Sequence, residues 1–206
     1  IYHIISKTRR GEFFLVPKDG IASLCAGVVG KAQKNWKDVR LYGFAFMSNH
    51  LHMMVQGESR HISAFVGFVK RELSRRLGQL YSIEGSIWAG RFISTALPTL
   101  DSRVACLRYI LSQGVKENLV EHPCQWPGLH CASALLTGRD IEGSWFNATA
   151  YAQAKWNKQR NPDLPKVRKA DFYESMHVRV SPLLQWRHLA AEERLKLALL
   201  LVNEVV

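Results

Sequence analysis

Met47-Ser48-Asn49-His50-Leu51-His52-Met53-Met54-Val55 follows directly on the apolar run Leu41-Tyr42-Gly43-Phe44-Ala45-Phe46. On a strand, residues i and i+2 share a face. His50 and His52 are therefore expected to present two imidazoles side by side, while Leu51 and Met53 point into the core. Two neutral imidazoles on a rigid strand begin a divalent-metal site.

The surrounding pattern extends this pair of strands into a fold. Ile1-Tyr2-His3-Ile4-Ile5-Ser6 reads as a strand, and Gly11-Glu12-Phe13-Phe14-Leu15-Val16 as a second extended piece running to a turn at Pro17-Lys18-Asp19-Gly20. Residues 21–36 carry Ile21, Leu24, Val28 and Ala32 near helical spacing. Strands follow at 39–47 and 50–56. The clearest helix spans 62–81, where Ile62, Phe65, Val66, Val69, Leu73, Leu77 and Leu80 form one apolar stripe. Residues 86–96 read as extended, Pro98 breaks the chain, and a helix is expected at 100–117. The order strand, helix, strand, strand, helix, strand, helix predicts an α+β fold of ferredoxin-like type: an antiparallel sheet packed with helices. The composition shifts after Gly138, so residues 1–138 are expected to form the principal domain. Residues 139–206 read as a mostly helical C-terminal extension ending in an amphipathic helix at 187–204.

The charge narrows the partner. The 206 residues carry 28 Lys+Arg against 17 Asp+Glu, a formal net charge of +11. That excess favours a polyanion such as DNA, RNA or an anionic surface. No apolar run approaches the roughly 20 residues that span a bilayer, so no membrane partner is expected. Cys25, Cys106, Cys124 and Cys131 lack the spacing of a disulfide framework and read as reduced thiols of a cytoplasmic protein. The group His122, Cys124, His130 and Cys131 does not match structural-zinc spacings.

Tyr109 and Gln113 are four residues apart on the helix expected at 100–117, so they share a face. Tyr109 lies nearly opposite the Leu107/Leu111 stripe, where it projects away from the core. The Gln113 amide offers an oxygen acceptable to a hard divalent cation. Two imidazoles and one amide oxygen leave positions open on an ion for phosphate and water. Tyr109 would then be a covalent nucleophile toward phosphorus. Lys70, Arg71 and Arg75 mark a basic side of helix 62–81. Trp88, Arg91 and Phe92 combine aromatic and cationic groups suited to single-stranded DNA. Arg108, beside Tyr109, is a candidate phosphate contact.

These residues carry a resemblance. Met47 to Val55 resembles the His-hydrophobic-His (HUH) motif of single-tyrosine transposases. Arg108-Tyr109-Ile110 through Asn118-Leu119-Val120, with Pro123 and Trp126-Pro127, resembles the nucleophile block of REP-associated tyrosine transposases, as do Tyr2-His3-Ile4-Ile5 and Ile87-Trp88-Ala89-Gly90-Arg91-Phe92. The resemblance covers roughly residues 1–137. It implies a metal-dependent endonuclease and strand transferase acting on single-stranded or hairpin DNA; a monomer or homodimer is expected. It further implies Mg²⁺ or Mn²⁺, a 5′-phosphotyrosine link and a free 3′-OH. By position, His50 and His52 match the metal pair, Gln113 the third ligand and Tyr109 the nucleophile. The REP-associated family commonly reads Tyr-x-x-x-Asn-Pro where this chain reads Tyr109-Ile-Leu-Ser-Gln113-Gly114. The insertion-sequence branch uses Gln there. The alternative expectation is a non-catalytic nucleic-acid-binding protein of ferredoxin-like fold.

Overall fold

A four-stranded antiparallel sheet in the order β2-β3-β1-β4 organises the chain. The computed structural model describes residues 1–18 and 20–206. Asp19, part of the turn expected at 17–20, lies outside them. β1 (Tyr2–Lys7) and β3 (His50–Gln56) form the centre of the sheet, β2 (Arg40–Met47) and β4 (Ile93–Ala96) its edges. With α1 (Ile21–Asn35) and α2 (Ser59–Tyr81) between the strands, this is the expected ferredoxin-like βαββαβ order.

The two faces of the sheet are used differently. Ile4, Leu51, Met53 and Val55 are fully buried and alternate with the histidines of β3. Their face is the one covered by α1 and α2. The α2 stripe is buried from Ile62 through Leu77, whereas Leu80 is 59% exposed as the helix runs past the core. The opposite face carries His50 and His52 and is covered by α3 (Leu100–Leu111), which packs on β2 and β3. Gly43 permits that approach, because a Cβ there would lie 2.7 Å from Leu107 Cδ1.

Three sequence expectations change. The 11–16 segment joins no sheet: a 3-10 turn at Arg9–Gly11, with Arg10 and Gly11 at positive φ, ends the extended run, and residues 12–16 form no strand. Within 86–96 only Ile93–Ala96 pairs continuously with β1, and Trp88 makes an isolated bridge to Thr8. The helix expected at 100–117 stops at Leu111, because Gly114 at φ +88° turns the chain back.

The extension holds α4 (Ala132–Thr137) at its threshold, then β5 (Ile141–Phe146), α5 (Ala148–Arg160), β6 (Tyr173–Val178) and α6 (Ala191–Asn203). A mostly helical extension with a final helix at 187–204 was expected; that helix begins only at Ala191, and α5 and the two-stranded antiparallel sheet were not foreseen. That sheet lies backbone-to-backbone on α1. A Cβ at Gly27 would sit 2.1 Å from Ser144 O, and one at Gly30 would sit 2.9 Å from Met176 Cβ. Trp145, Met176, Val178, Leu183, Leu201 and Val202 join the same hydrophobic core as the main sheet.

Candidate active site

Register places the histidines. His52 pairs with Ile5 of β1 and Ala45 of β2, and His50 with Lys7 and Met47. Both imidazoles thus rise from the centre of the sheet toward α3, with ring centroids 5.0 Å apart. His52 is 3% exposed, while His50 is partly open. Burial is the main cause that lowers the pKa of both; His52 is pushed down to about 3, with the nearby His50 and His3 adding to the effect. Both rings are therefore neutral at neutral pH, the state a metal ligand needs.

α3 brings the tyrosine. Thr99 and Ser102 form a reciprocal cap at its start. Cys106, Leu107, Ile110 and Leu111 hold its inner face against the sheet. Tyr109 remains 45% exposed, yet its ring stands edge-on to His52 with centroids 5.3 Å apart. Just past the helix, Gln113 is fully buried. Gln113 Nε2 donates to the Tyr109 carbonyl at 3.0 Å, which aims Oε1 at His50 Nε2, 3.2 Å away. The structure brings His50, His52, Tyr109 and Gln113 together, with Gln113 on the turn after the helix rather than on it.

The hydrogen bonds bear on whether a cation fits. Asn49 Nδ2 donates to Gly11 O, so its Oδ1 is the atom 2.7 Å from His50 Nδ1. With that amide orientation, a proton on His50 Nδ1 would turn the Nε2 lone pair toward Gln113 Oε1. Two acceptors facing each other at 3.2 Å repel unless a proton or a cation lies between them, and burial disfavours the extra proton. Cis donors of an octahedral Mg²⁺ at about 2.1 Å stand about 3 Å apart, so the pair suits such an ion. On His52, Nδ1 is engaged by His3 Nε2 at 3.0 Å, leaving Nε2 available. Among the described residues no group of three or more His, Cys, Asp or Glu is arranged to hold a metal; the candidate set is two imidazoles with one amide oxygen.

Four residues here were not singled out in the sequence. His3 stacks on His52, with ring centroids 5.1 Å apart. Asn49 orients His50. Lys116 holds its ammonium 3.8 Å from the Tyr109 ring centre. Glu117 accepts from Gly114 N at 2.6 Å and pairs with Lys116 at 3.5 Å, fixing the turn. Asn49 was adjacent to the motif, but His3 needed the strand register and Lys116 the turn at Gly114.

The basic residues divide. Lys70, Arg71, Arg75, Trp88 and Arg91 line one open groove of about 780 Å³ between α2 and the 85–92 segment. Trp88 is mostly packed, its indole NH donating to Lys70 O at 2.9 Å, so it forms the groove wall. Arg75 is tied to Glu72 at 2.7 Å. Arg108 lies elsewhere: its Nε meets Glu204 at 2.6 Å and binds α3 to the end of α6. His130 spends Nε2 on Ile110 O and Nδ1 on Ala132 N, and Cys131 is fully buried, so that pair serves packing.

Residues 1–113 match the family described as Transposase IS200 like. The chain belongs to the IS200-like transposase family. Among solved structures, the REP-associated tyrosine transposase bound to a REP hairpin aligns at a TM-score of 0.52 and 16% identity, covering 63% of this chain and 74% of that one. The two share a fold. A protein of Deinococcus radiodurans R1, provisionally assigned as a transposase, aligns at a TM-score of 0.39 and 18% identity over 57% of this chain and 88% of that one. No curated protein matches the chain. In this IS200-like transposase the family match ends at Gln113, so it takes in His50, His52, Tyr109 and Gln113 and leaves out Lys116 and the whole extension. Among the described residues, no helix is long and apolar enough to cross a membrane.

Proposed function

We propose that this IS200-like transposase is a metal-dependent endonuclease and strand transferase for single-stranded DNA at hairpins or palindromes, with Tyr109 as nucleophile. The observation that carries the reading is convergence: the Tyr109 ring lies 5.3 Å from His52, and Gln113 Oε1 lies 3.2 Å from His50 Nε2. His50, His52 and Gln113 would hold Mg²⁺ or Mn²⁺. When bound, such an ion polarises the phosphodiester and offsets the charge of displacement.

The chain's own groups do the rest. Tyr109 Oη attacks phosphorus and forms a P–O bond, the P–O3′ bond breaks, the phenol gives up its proton and the departing 3′ oxygen gains one. The products are a 5′-phosphotyrosine and a free 3′-OH, and reversal with another 3′-OH rejoins strands. Lys116 supplies positive charge beside the phenol, where the anionic phosphate must approach. The groove between α2 and the 85–92 segment supplies cations for the DNA backbone.

The test is covalent capture. End-labelled hairpin oligonucleotides from the DNA flanking the gene are incubated with protein and Mg²⁺ or Mn²⁺, beside Tyr109→Phe and a His50→Ala/His52→Ala double variant. A denaturation-resistant protein–DNA band, lost in both variants and with EDTA, is expected. Binding without any adduct would instead make the protein a non-catalytic DNA-binding relative.

A further inference from the structure

α5 is 13 residues long and buries none of them. An isolated helix of that length is marginal in water, and this one is fastened at its start alone. The Asn147 side chain accepts from Ala150 N at 3.0 Å and donates to Glu174 at 2.7 Å. Tyr151 packs between Phe146 and Phe172, with centroid distances of 5.5 and 5.4 Å. Beyond Tyr151 the helix stands in solvent.

What it carries there is cationic and aromatic. Residues 147–172 hold six Lys or Arg against two Asp. Lys158 closes the following loop by donating to the carbonyls of Pro162 and Leu164, and Arg168 pairs with Asp171. Lys155, Arg160, Lys166 and Lys169 make no ion pair among the described residues. Trp156 is 51% exposed, and the Arg160 guanidinium lies 4.6 Å from its ring centre. An exposed tryptophan beside free cations suits stacking on bases and contact with phosphates.

The arm begins at the border of the α2 groove. Arg71, which lines that groove, lies 5.5 Å from the Phe68 ring, and Phe68 stacks on Trp145 at 5.8 Å. Arg76 of α2 covers the other partner in this ladder, 3.9 Å from the Trp145 ring, and donates to Phe146 O at 3.1 Å. Phe146 in turn touches Tyr151 of α5. Two ring pairs bridged by Arg76 therefore join the two basic surfaces.

We propose that α5 and the segment through Lys169 are a second nucleic-acid surface, which grips the phosphodiester backbone of DNA as it leaves the α2 groove. The proposal rests on the DNA reading above, and adds a contact surface outside residues 1–113. About 20 Å of helix lengthens the basic track without reading sequence, because its contacts are charges and one stacking ring.

The experiment uses the full chain and a fluorescein-labelled hairpin oligonucleotide of arbitrary sequence, with anisotropy read from 50 to 200 mM NaCl. The variants are Lys155→Gln/Arg160→Gln/Lys166→Gln/Lys169→Gln and, separately, Lys70→Gln/Arg71→Gln/Arg75→Gln. All substituted arm residues are exposed, and an unchanged melting temperature checks that the fold is kept; Trp156→Ala is the single-site companion. The arm variant is expected to bind about tenfold more weakly at 150 mM salt, with a slope of log affinity on log salt shallower by about 1 to 3. Wild-type binding that survives in the arm variant with the same slope overturns this proposal alone. Loss of binding to anionic vesicles, with DNA binding intact, would also overturn it and make the arm a membrane-surface element. Absence of wild-type DNA binding at 50 mM salt overturns the functional reading as well.

Discussion

His3 Nε2 lies 3.0 Å from His52 Nδ1, although the two are not register partners: His3 faces Met54, and His52 faces Ile5. The contact runs diagonally across β1 and β3, within the reach that cross-strand neighbours have. It occupies Nδ1 of His52 and so decides which nitrogen is left for an ion.

His3→Ala should therefore weaken Mn²⁺ binding by about 10- to 100-fold, the usual effect of removing a partner that orients a ligating histidine. Hairpin affinity in EDTA should stay within about twofold, since no DNA contact is removed. His3→Gln, which keeps a polar partner, should recover part of the loss. Titration calorimetry with Mn²⁺ reads the metal affinities, and fluorescence anisotropy in EDTA reads the hairpin affinity. Equal Mn²⁺ affinity in wild type and His3→Ala would remove the positioning role.

The His-Leu-His stretch was legible because period-2 alternation and two polar side chains on one face leave a single consistent orientation. Leu51 and Met53 are indeed fully buried and His52 lies on the other face. Helix α2 was legible for the same kind of reason, with six stripe residues buried. The two-stranded sheet β5/β6 was not, because its determinants are close approaches at Gly27, Gly30 and Gly143, and glycine carries no apolar signal. His3 was hidden because strand register is a tertiary fact. Gln113 falls beside Tyr109 although the helix expected there ends earlier: a helix and the turn that replaced it both keep residue 113 near the Tyr109 carbonyl.

Gly114 stands where the REP-associated pattern has proline. At φ +88° the position is closed to proline, whose ring fixes φ near −65°, and its N–H donates to Glu117. Gly114→Pro should cost about 3 kcal/mol or more of stability. Gly114→Ala should cost about 1 kcal/mol through the left-handed backbone alone, with some added crowding from Val120 at 3.2 Å. Urea denaturation measures both. A proline variant as stable as wild type would mean that the turn can be rebuilt.

Buried histidines set a pH limit. Burial drives His130 down to about 4 and His52 to about 3, against about 6.5 in an unfolded chain. Between those values the unfolded state binds more protons, so stability rises with pH and is lost as pH falls below about 6.5. His130 alone should account for about 2 kcal/mol between pH 7 and 4.5. Urea midpoints should fall over that interval, and His130→Gln should lower stability at pH 7 while flattening the slope. A wild-type midpoint that does not move between pH 7 and 5 would contradict the neutral, buried state of these rings.

Lys116 offers the sharpest separation of binding from chemistry. Its ammonium sits 3.8 Å from the Tyr109 ring centre and is steadied by Glu117. If Tyr109 is the nucleophile as proposed, a cation there would meet the scissile phosphate where negative charge builds up, which is where a fixed charge lowers the barrier most. Lys116→Met keeps the length and apolar contact of the side chain but removes the charge. Adduct formation at saturating hairpin should slow by about 10- to 100-fold, or about 1.4 to 2.7 kcal/mol, while hairpin affinity changes by only one phosphate contact's worth. Lys116→Arg should restore much of the rate, since it returns the charge near the same ring. The comparison requires single-turnover kinetics, because a steady-state rate limited by product release would hide the step. Should Lys116→Met react as fast as wild type once DNA is saturating, the ammonium merely packs on the tyrosine, and the charge that assists displacement comes from elsewhere in the site.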